Sequence, residues 1–166
     1  MKDNGCVQEN MTGIRVAGIV IRGNKLMFMQ QIVGEKLCNV FVGGGVYIGE
    51  KLEEAMLREL SEEANVTGDI LFGPVVSRDH ESDNTDYLFV INLSDEQNPS
   101  LGYDPEIPDG DEQVLKGITW RDANDDYEKF TNADKFFFRV LLDEAVKQHT
   151  DSDWVCVIKK ILDKTI

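Results

Sequence analysis

The stretch Gly43–Val66, GGGVYIGEKLEEAMLRELSEEANV, decides how the rest of the chain is read. It divides into a glycine run (Gly43, Gly44, Gly45), an amphipathic helix and a helix end at Asn65. On a helical wheel Met56, Leu57, Leu60 and Ala64 form an apolar stripe suited to packing on a sheet. Glu59, Glu62 and Glu63 lie together along one edge of that stripe, because residues three and four apart share a face. Arg58, Glu54 and Ser61 fall on the far, wet side. The carboxylates are therefore expected at the margin of the buried face, where a cleft would run.

Three like charges placed this way repel one another, each i,i+4 pair costing a few tenths of a kcal/mol. A helix selected for stability alone would alternate signs. Carboxylate oxygens are also the ligands that hard divalent cations prefer, usually one or two per ion with water and substrate phosphate completing the shell. A bare EELSEE run reads first as a solvated acidic face of an acidic protein. The glycines upstream shift that balance, because they allow backbone to approach the site closely and carbonyls to turn inward.

Taken together, the stretch resembles the Nudix box of the Nudix hydrolases: a Gly, five residues, a Glu, seven residues, then Arg-Glu-apolar-x-Glu-Glu-x-Gly-apolar. Here Gly44 is followed by Glu50 and then by Arg58-Glu59-Leu60-Ser61-Glu62-Glu63-Ala64-Asn65-Val66. Asn65 stands where the family has Gly. The departure is mild, because a residue just past a helix C-terminus commonly takes the left-handed conformation and Asn tolerates it best after Gly. Val42 stands where many members have a proline. Neither departure touches a ligand position.

The bulk properties bound the rest. A chain of 166 residues suits a single domain, 1–166, with a proper core, and residues 1–12 read as a polar N-terminal tail without a signal-peptide hydrophobic region. No apolar run is long enough to span a membrane. Cys6, Cys38 and Cys156 are scattered without metal spacing, so reduced thiols in a cytoplasmic protein are expected. A net charge of -14 argues against a nucleic-acid duplex as partner. It also repels an anionic substrate unless metal and local Arg or Lys offset the field.

Along the chain, Ile14–Arg22 reads as a buried strand, Gly23-Asn24 as a hairpin turn and Lys25–Gln31 as the returning strand. Cys38–Val42 is a short strand that delivers the chain into a glycine loop. Ile70–Arg78 and Tyr87–Leu93 are further strands, joined by the polar turn Asp79–Asp86 with His80 as an exposed loop residue. Ser94–Gln113 is a long acidic loop, the kind that is usually functional or disordered, and its spacing excludes an EF-hand. Val114–Trp120 is a last strand. Thr131–Lys147 is a helix with a Thr131/Asp134 capping pattern and a core face of Phe137, Phe138, Leu141, Leu142 and Ala145. Residues 152–163 form a terminal helix whose Trp154, Val157, Ile158 and Ile161 cover either the chain's own core or a partner in a homodimer.

Periodicity supports a mixed α/β domain. The resemblance implies the Nudix-type α/β/α sandwich with a mixed sheet. It also implies hydrolysis of a nucleoside diphosphate linked to another moiety. Carried over by position, Glu59, Glu62 and Glu63 are ligands for Mg2+ or Mn2+, helped by a Gly43 or Gly44 carbonyl. Glu59 alternatively orients or deprotonates water. Arg58 pairs with neighbouring carboxylates, Glu62 and Glu54 being within helical reach. Glu50 braces the loop against the helix or simply favours its N-terminus. Because the box approaches a cation from one side, a further ligand or base is expected from a facing loop. Glu112 is the choice and Asp111 its close competitor. The expected substrate is a small nucleotide such as a nucleoside triphosphate, with ADP-ribose or dinucleoside polyphosphates as alternatives. A non-catalytic nucleotide-sensing module ranks lower, since all the box carboxylates remain.

Overall fold

The computed structural model describes residues 10–78, 83–105 and 107–164. The β-branched N-terminal run forms strand β1 (Asn10–Arg22), which turns through Gly23-Asn24 into β2 (Lys25–Val33) with Arg22 opposite Lys25. A second hairpin leads to β3 (Lys36–Val40), and the chain crosses to β4 (Val42–Tyr47). The expected glycine loop is thus a strand: Gly43, Gly44 and Gly45 pair with Ala17, Val16 and Arg15 of β1. Extended backbone suits glycines here because β1 lies so close. A Cβ on Gly43 would stand 2.0 Å from the Val16 carbonyl oxygen.

The box helix α1 (Leu52–Ala64) follows, then β5 (Asp69–Arg78) and β6 (Thr85–Asn92). His80 and most of its turn, Cys6 and most of the N-terminal tail lie outside the described residues. The long segment from Ser94 carries no strand or helix before β7 (Leu115–Asp122) among its described residues. A 3-10 turn (Tyr127–Lys129) precedes α2 (Asn132–Lys147) and α3 (Asp153–Asp163). Thr131 Oγ1 accepts the Asp134 N–H at 3.1 Å while Asp134 Oδ2 accepts the Thr131 N–H at 2.8 Å, the reciprocal cap expected at the start of α2.

The strands form one sheet in the order β3-β2-β1-β6-β5, with β4 also pairing β1 and β7 pairing β2. The β1–β6 pair is parallel and the others antiparallel, so the sheet is mixed. One face packs α1 through Ala55, Met56, Leu60 and Ala64 against Val16, Val20, Met27, Met29, Phe89 and Ile91. The other packs α2 and α3 against Ile19, Phe28, Leu88 and Val90. The result is an α/β/α sandwich with a mixed sheet.

In α3, Trp154, Val157, Ile158 and Ile161 are all buried in the chain's own core. That accounts for the whole apolar face read from the sequence and removes the ground for placing a homodimer contact on it. Among the described residues, no helix is long and apolar enough to cross a membrane.

Candidate active site

The register of β1 and β4 brings the glycine strand under the carboxylate edge of α1. Gly44 lies directly below Glu59, where an added Cβ would come within 2.5 Å of Glu59 Oε1. The Gly43 N–H donates to Glu63 Oε2 at 3.3 Å. Glu59 and Glu63 are 7% and 8% exposed, deeper than the margin expected from the helical wheel, while Glu62 is half-buried.

Arg58 departs from the wheel altogether. The wet side assigned to it is covered by the turn after β4, and the guanidinium lies 4.0 Å from the centre of the Tyr47 ring. Its Nε donates to Glu50 Oε1 at 2.8 Å, and Nη2 to Glu50 Oε2 at 3.0 Å and to the Gly45 carbonyl at 2.9 Å. Nη1 donates to Glu59 at 2.8 Å and Glu62 at 3.2 Å. All three nitrogens are used, which the rigid guanidinium fork permits and a lysine ammonium would not. Glu54, the other expected partner, instead accepts the Lys51 N–H at 3.2 Å at the start of α1. Glu50 Oε2 also accepts the Tyr47 N–H at 3.0 Å, tying the turn to Arg58.

The electrostatics follow from this packing. Burial tends to lower the Arg58 pKa, but the Glu50 hydrogen bonds and the Glu59 charge outweigh it and hold Arg58 firmly cationic. Burial raises Glu50, yet the Arg58 and Tyr47 hydrogen bonds bring it below the ordinary carboxylate value. Glu63 goes the other way. Burial and the Glu59 charge push it up to about 8, against the Gly43 hydrogen bond. Asp104 pushes it further and Arg15 opposes. Arg58 serves Glu50, Glu59 and Glu62, and Glu63, which it does not reach, favours its protonated form instead.

Among the described residues, no three His, Cys, Asp or Glu side chains already converge as a metal cage. The Glu59 and Glu62 oxygens are turned onto Arg58 instead. The donor set nevertheless fits a hard divalent cation. It consists of carboxylate and backbone oxygens, and it includes a glycine, Gly44, where a Cβ would fill the space beside Glu59.

Asp104 and Arg15, which the sequence pattern does not single out, both act electrostatically on the Glu63 carboxyl. Arg15 stands opposite Gly45 on one side and Asp86 on the other. Asp104 belongs to the long acidic loop, where its N–H donates to Gln113 Oε1 at 2.9 Å and its carbonyl accepts Gln113 Nε2 at 3.3 Å. The expected loop residue was Glu112. Its carboxylate is instead 87% exposed and paired with Lys116 at 2.5 Å, the hydrogen bond from Lys116 holding its pKa below the ordinary range. Its competitor Asp111 is exposed too. Glu112 is an i,i+4 neighbour of Lys116, so local pairing turns it outward. No one-dimensional signal separates Asp104 from the other acids of this loop.

A second hollow lies along the same row of the sheet, a cavity of about 320 Å³ lined by Asp86, Asn132, Ala133, Phe136 and Phe137. Phe138 is core, as read from the helical pattern, but Phe137 is half-buried and Phe136 is 42% exposed.

Among the described residues, seven strands between helical layers, with a glutamate cluster where α1 crosses a glycine strand, define an α/β/α sandwich with an acidic site. A family model described as the NUDIX domain matches residues 11–139. Similar solved structures include a NUDIX-family hydrolase from Clostridium perfringens, at 14% identity and TM-score 0.53 over 74% of this chain and 88% of that one. A bifunctional NMN adenylyltransferase/ADP-ribose pyrophosphatase from Francisella tularensis, complexed with AMP and a manganese ion, aligns at 15% identity and TM-score 0.56 over 82% of this chain and 42% of that one. A MutT structure from work on Aliivibrio salmonicida and Vibrio cholerae aligns at 20% identity and TM-score 0.50 over 78% and 96%. No curated protein matches the chain.

The chain belongs to the Nudix family. It is a pyrophosphohydrolase acting on a phosphoric anhydride.

Proposed function

We propose that this chain hydrolyses a nucleoside diphosphate linked to a further moiety, with a small nucleotide such as a nucleoside triphosphate as the preferred substrate. The observation that carries this reading is the placement of Glu59 over Gly44 and of Glu63 on the Gly43 N–H, with Arg58 tying Glu59 to Glu62 from the side. These carboxylates, with a Gly43 or Gly44 carbonyl, are the groups that would hold Mg2+ or Mn2+. The cation would neutralise phosphate oxygens and lower the pKa of water for an in-line attack at phosphorus. Arg58 and Glu50 fix the helix against the glycine strand, so that the carboxylates hold their places as substrate arrives. Asp104 supplies an acidic group from off the helix.

The substrate's remaining parts follow the row of the sheet. Asp86, Arg15 and Gly45 are neighbours across three strands, which places Asp86 two strand spacings, roughly 9–10 Å, from the glycine strand. Arg15 offsets phosphate charge in an otherwise acidic field. The cavity beyond it offers ring faces from Phe136 and Phe137 for a base and polar groups from Asp86 and Asn132 for its edge or a ribose hydroxyl. ADP-ribose is the second reading, favoured by the ADP-ribose pyrophosphatase activity named for the Francisella tularensis protein.

The test is a panel of nucleoside diphosphate derivatives incubated with Mg2+, products being identified by mass. Cleavage into two phosphorylated products supports the reading. Glu62→Gln and Glu63→Gln should each lower turnover by orders of magnitude while the protein stays folded. Near-normal turnover in both variants would sink it.

A further inference from the structure

The C-terminus of α1 has an unusual set of partners. A helix leaves its last four carbonyls without intrahelical donors. Here the Ser61 carbonyl accepts the Asn65 N–H at 3.0 Å, and the other three are served by the long loop. Glu62 accepts from Tyr103 at 2.9 Å, Glu63 from Gly102 at 2.8 Å and Ala64 from Ser100 at 3.0 Å. The fit is tight enough that a Cβ on Gly102 would lie 1.8 Å from the Glu62 carbonyl oxygen. These amides also offset the negative end of a helix whose last turns already carry Glu59, Glu62 and Glu63.

Asn65 completes the junction. It takes the left-handed conformation (φ 52°, ψ 35°) that a glycine would satisfy equally well. Its side-chain amide, however, reaches the Ser100 carbonyl at 3.3 Å, Ser100 Oγ at 3.2 Å and the Leu101 carbonyl at 3.3 Å. Glycine could cap the helix but could not hold the loop. Downstream, Asp104 directly follows the Tyr103 amide bound to Glu62, and Gln113 grips its main chain from the loop's far end.

We infer that Asn65 and the strap Ser100–Tyr103 form one positioning device, which fixes Asp104 beside the carboxylate helix for the reaction proposed above. The inference rests on that reading for its kinetic consequence, and on the hydrogen bonds alone for its structural one. Asn65 acts through the strap, so its loss displaces Asp104 without removing any group from the helix.

The experiment compares Asn65→Gly, which keeps the cap, with Asn65→Asp, which keeps side-chain size and tolerance of the left-handed conformation but removes the donors. Gly102→Ala lifts the strap by steric force instead. Each variant is assayed for kcat and KM on the best substrate of the panel. Amide exchange at Gly102 and Tyr103 is followed in the same samples without metal.

All three should keep their helical signal, exchange these two amides faster, and lose kcat by on the order of tenfold or more, since small misplacements of a reacting group are costly. KM should change less than kcat. In an Asp104→Asn background, Asn65→Gly should add almost nothing, because both changes act on one group. Faster exchange with unchanged kcat would overturn the inference, as would a full loss in the Asp104→Asn background. Unchanged exchange in Asn65→Gly would overturn it whatever the activity. A wild type that cleaves no member of the panel would count against the proposed reaction, and the exchange data would still judge the strap.

Discussion

Gly43 and Gly44 are adjacent, yet the same substitution should do opposite things at the two positions. At Gly43 (φ +157°) an added Cβ points at the central strand, 2.0 Å from the Val16 carbonyl oxygen and 3.0 Å from Ala17 Cα. Backbone cannot swing aside, so β4 must retreat from β1 by more than roughly 1 Å to reach ordinary contact. Overpacking of this kind costs about 1–3 kcal/mol or more, and weakened ladder bonds between Gly43 and Ala17 add about 0.5–1.5 kcal/mol each. A loss of about 3 kcal/mol or more from a domain stable by about 5–15 kcal/mol is severe. It should lower Tm by roughly 6–12 °C.

At Gly44 the obstacle is the Glu59 carboxylate, with Oε1 at 2.5 Å and Oε2 at 2.8 Å, the far end of a flexible side chain. It can rotate away, giving up its bond to Arg58. That loss is partly offset by about 0.4–1 kcal/mol gained from a stiffer unfolded chain. Net stability should change by about 1 kcal/mol or less, but the displaced carboxylate should cost about 100-fold or more in turnover. Thermal unfolding by circular dichroism and turnover in Mg2+ read the two effects separately. Equal Tm losses in Gly43→Ala and Gly44→Ala, or a well-folded Gly44→Ala with near-normal turnover, would refute the reasoning.

Three further outcomes follow from the same contacts. Glu63 has a folded pKa of about 8, above the ordinary 4.5, so the folded state binds its proton more tightly than the unfolded chain does. Its contribution is present below pH 4.5 and is lost as pH rises through about 8, an effect on the order of a few kcal/mol. The metal-free protein should therefore melt lower at pH 8.5 than at pH 5.5, Glu63→Gln should flatten that slope, and Mg2+ should raise Tm most at the alkaline end. Glu112→Gln, on an exposed residue paired with Lys116, should leave turnover nearly unchanged, whereas Asp104→Asn should lower it at least tenfold. The reverse order in a steady-state assay would return the off-helix role to Glu112. Ile158→Ser opens the core where the residue is 0% exposed, so it should unfold the chain in part, at a cost of about 3 kcal/mol or more, rather than release a monomer from a dimer. Sedimentation of the folded variant as a dissociated dimer would contradict the assignment of α3 to the chain's own core.

What the sequence determined by itself was local. The hairpin at Gly23-Asn24, the apolar stripe of Met56, Leu60 and Ala64, the left-handed end at Asn65 and the Thr131/Asp134 cap are each set by residues within a few positions of one another. Helical and strand periods expose such patterns directly. The grouping of Glu59, Glu62 and Glu63 was legible for the same reason, since one helix carries all three. Three other features were decided only by tertiary structure. Arg58 left its wet face because the turn at Tyr47 and Glu50 folds over it, and a helical wheel knows nothing of what another segment covers. Gly43–Gly45 became a strand because β1 lay beside them, a pairing with no local signal. The loop brings Asp104, rather than Glu112, beside the end of α1 because the main chain of the loop hydrogen-bonds to that end, about 40 residues away in sequence. Such long-range bonds are made by backbone groups common to every residue, so no side-chain pattern announces them.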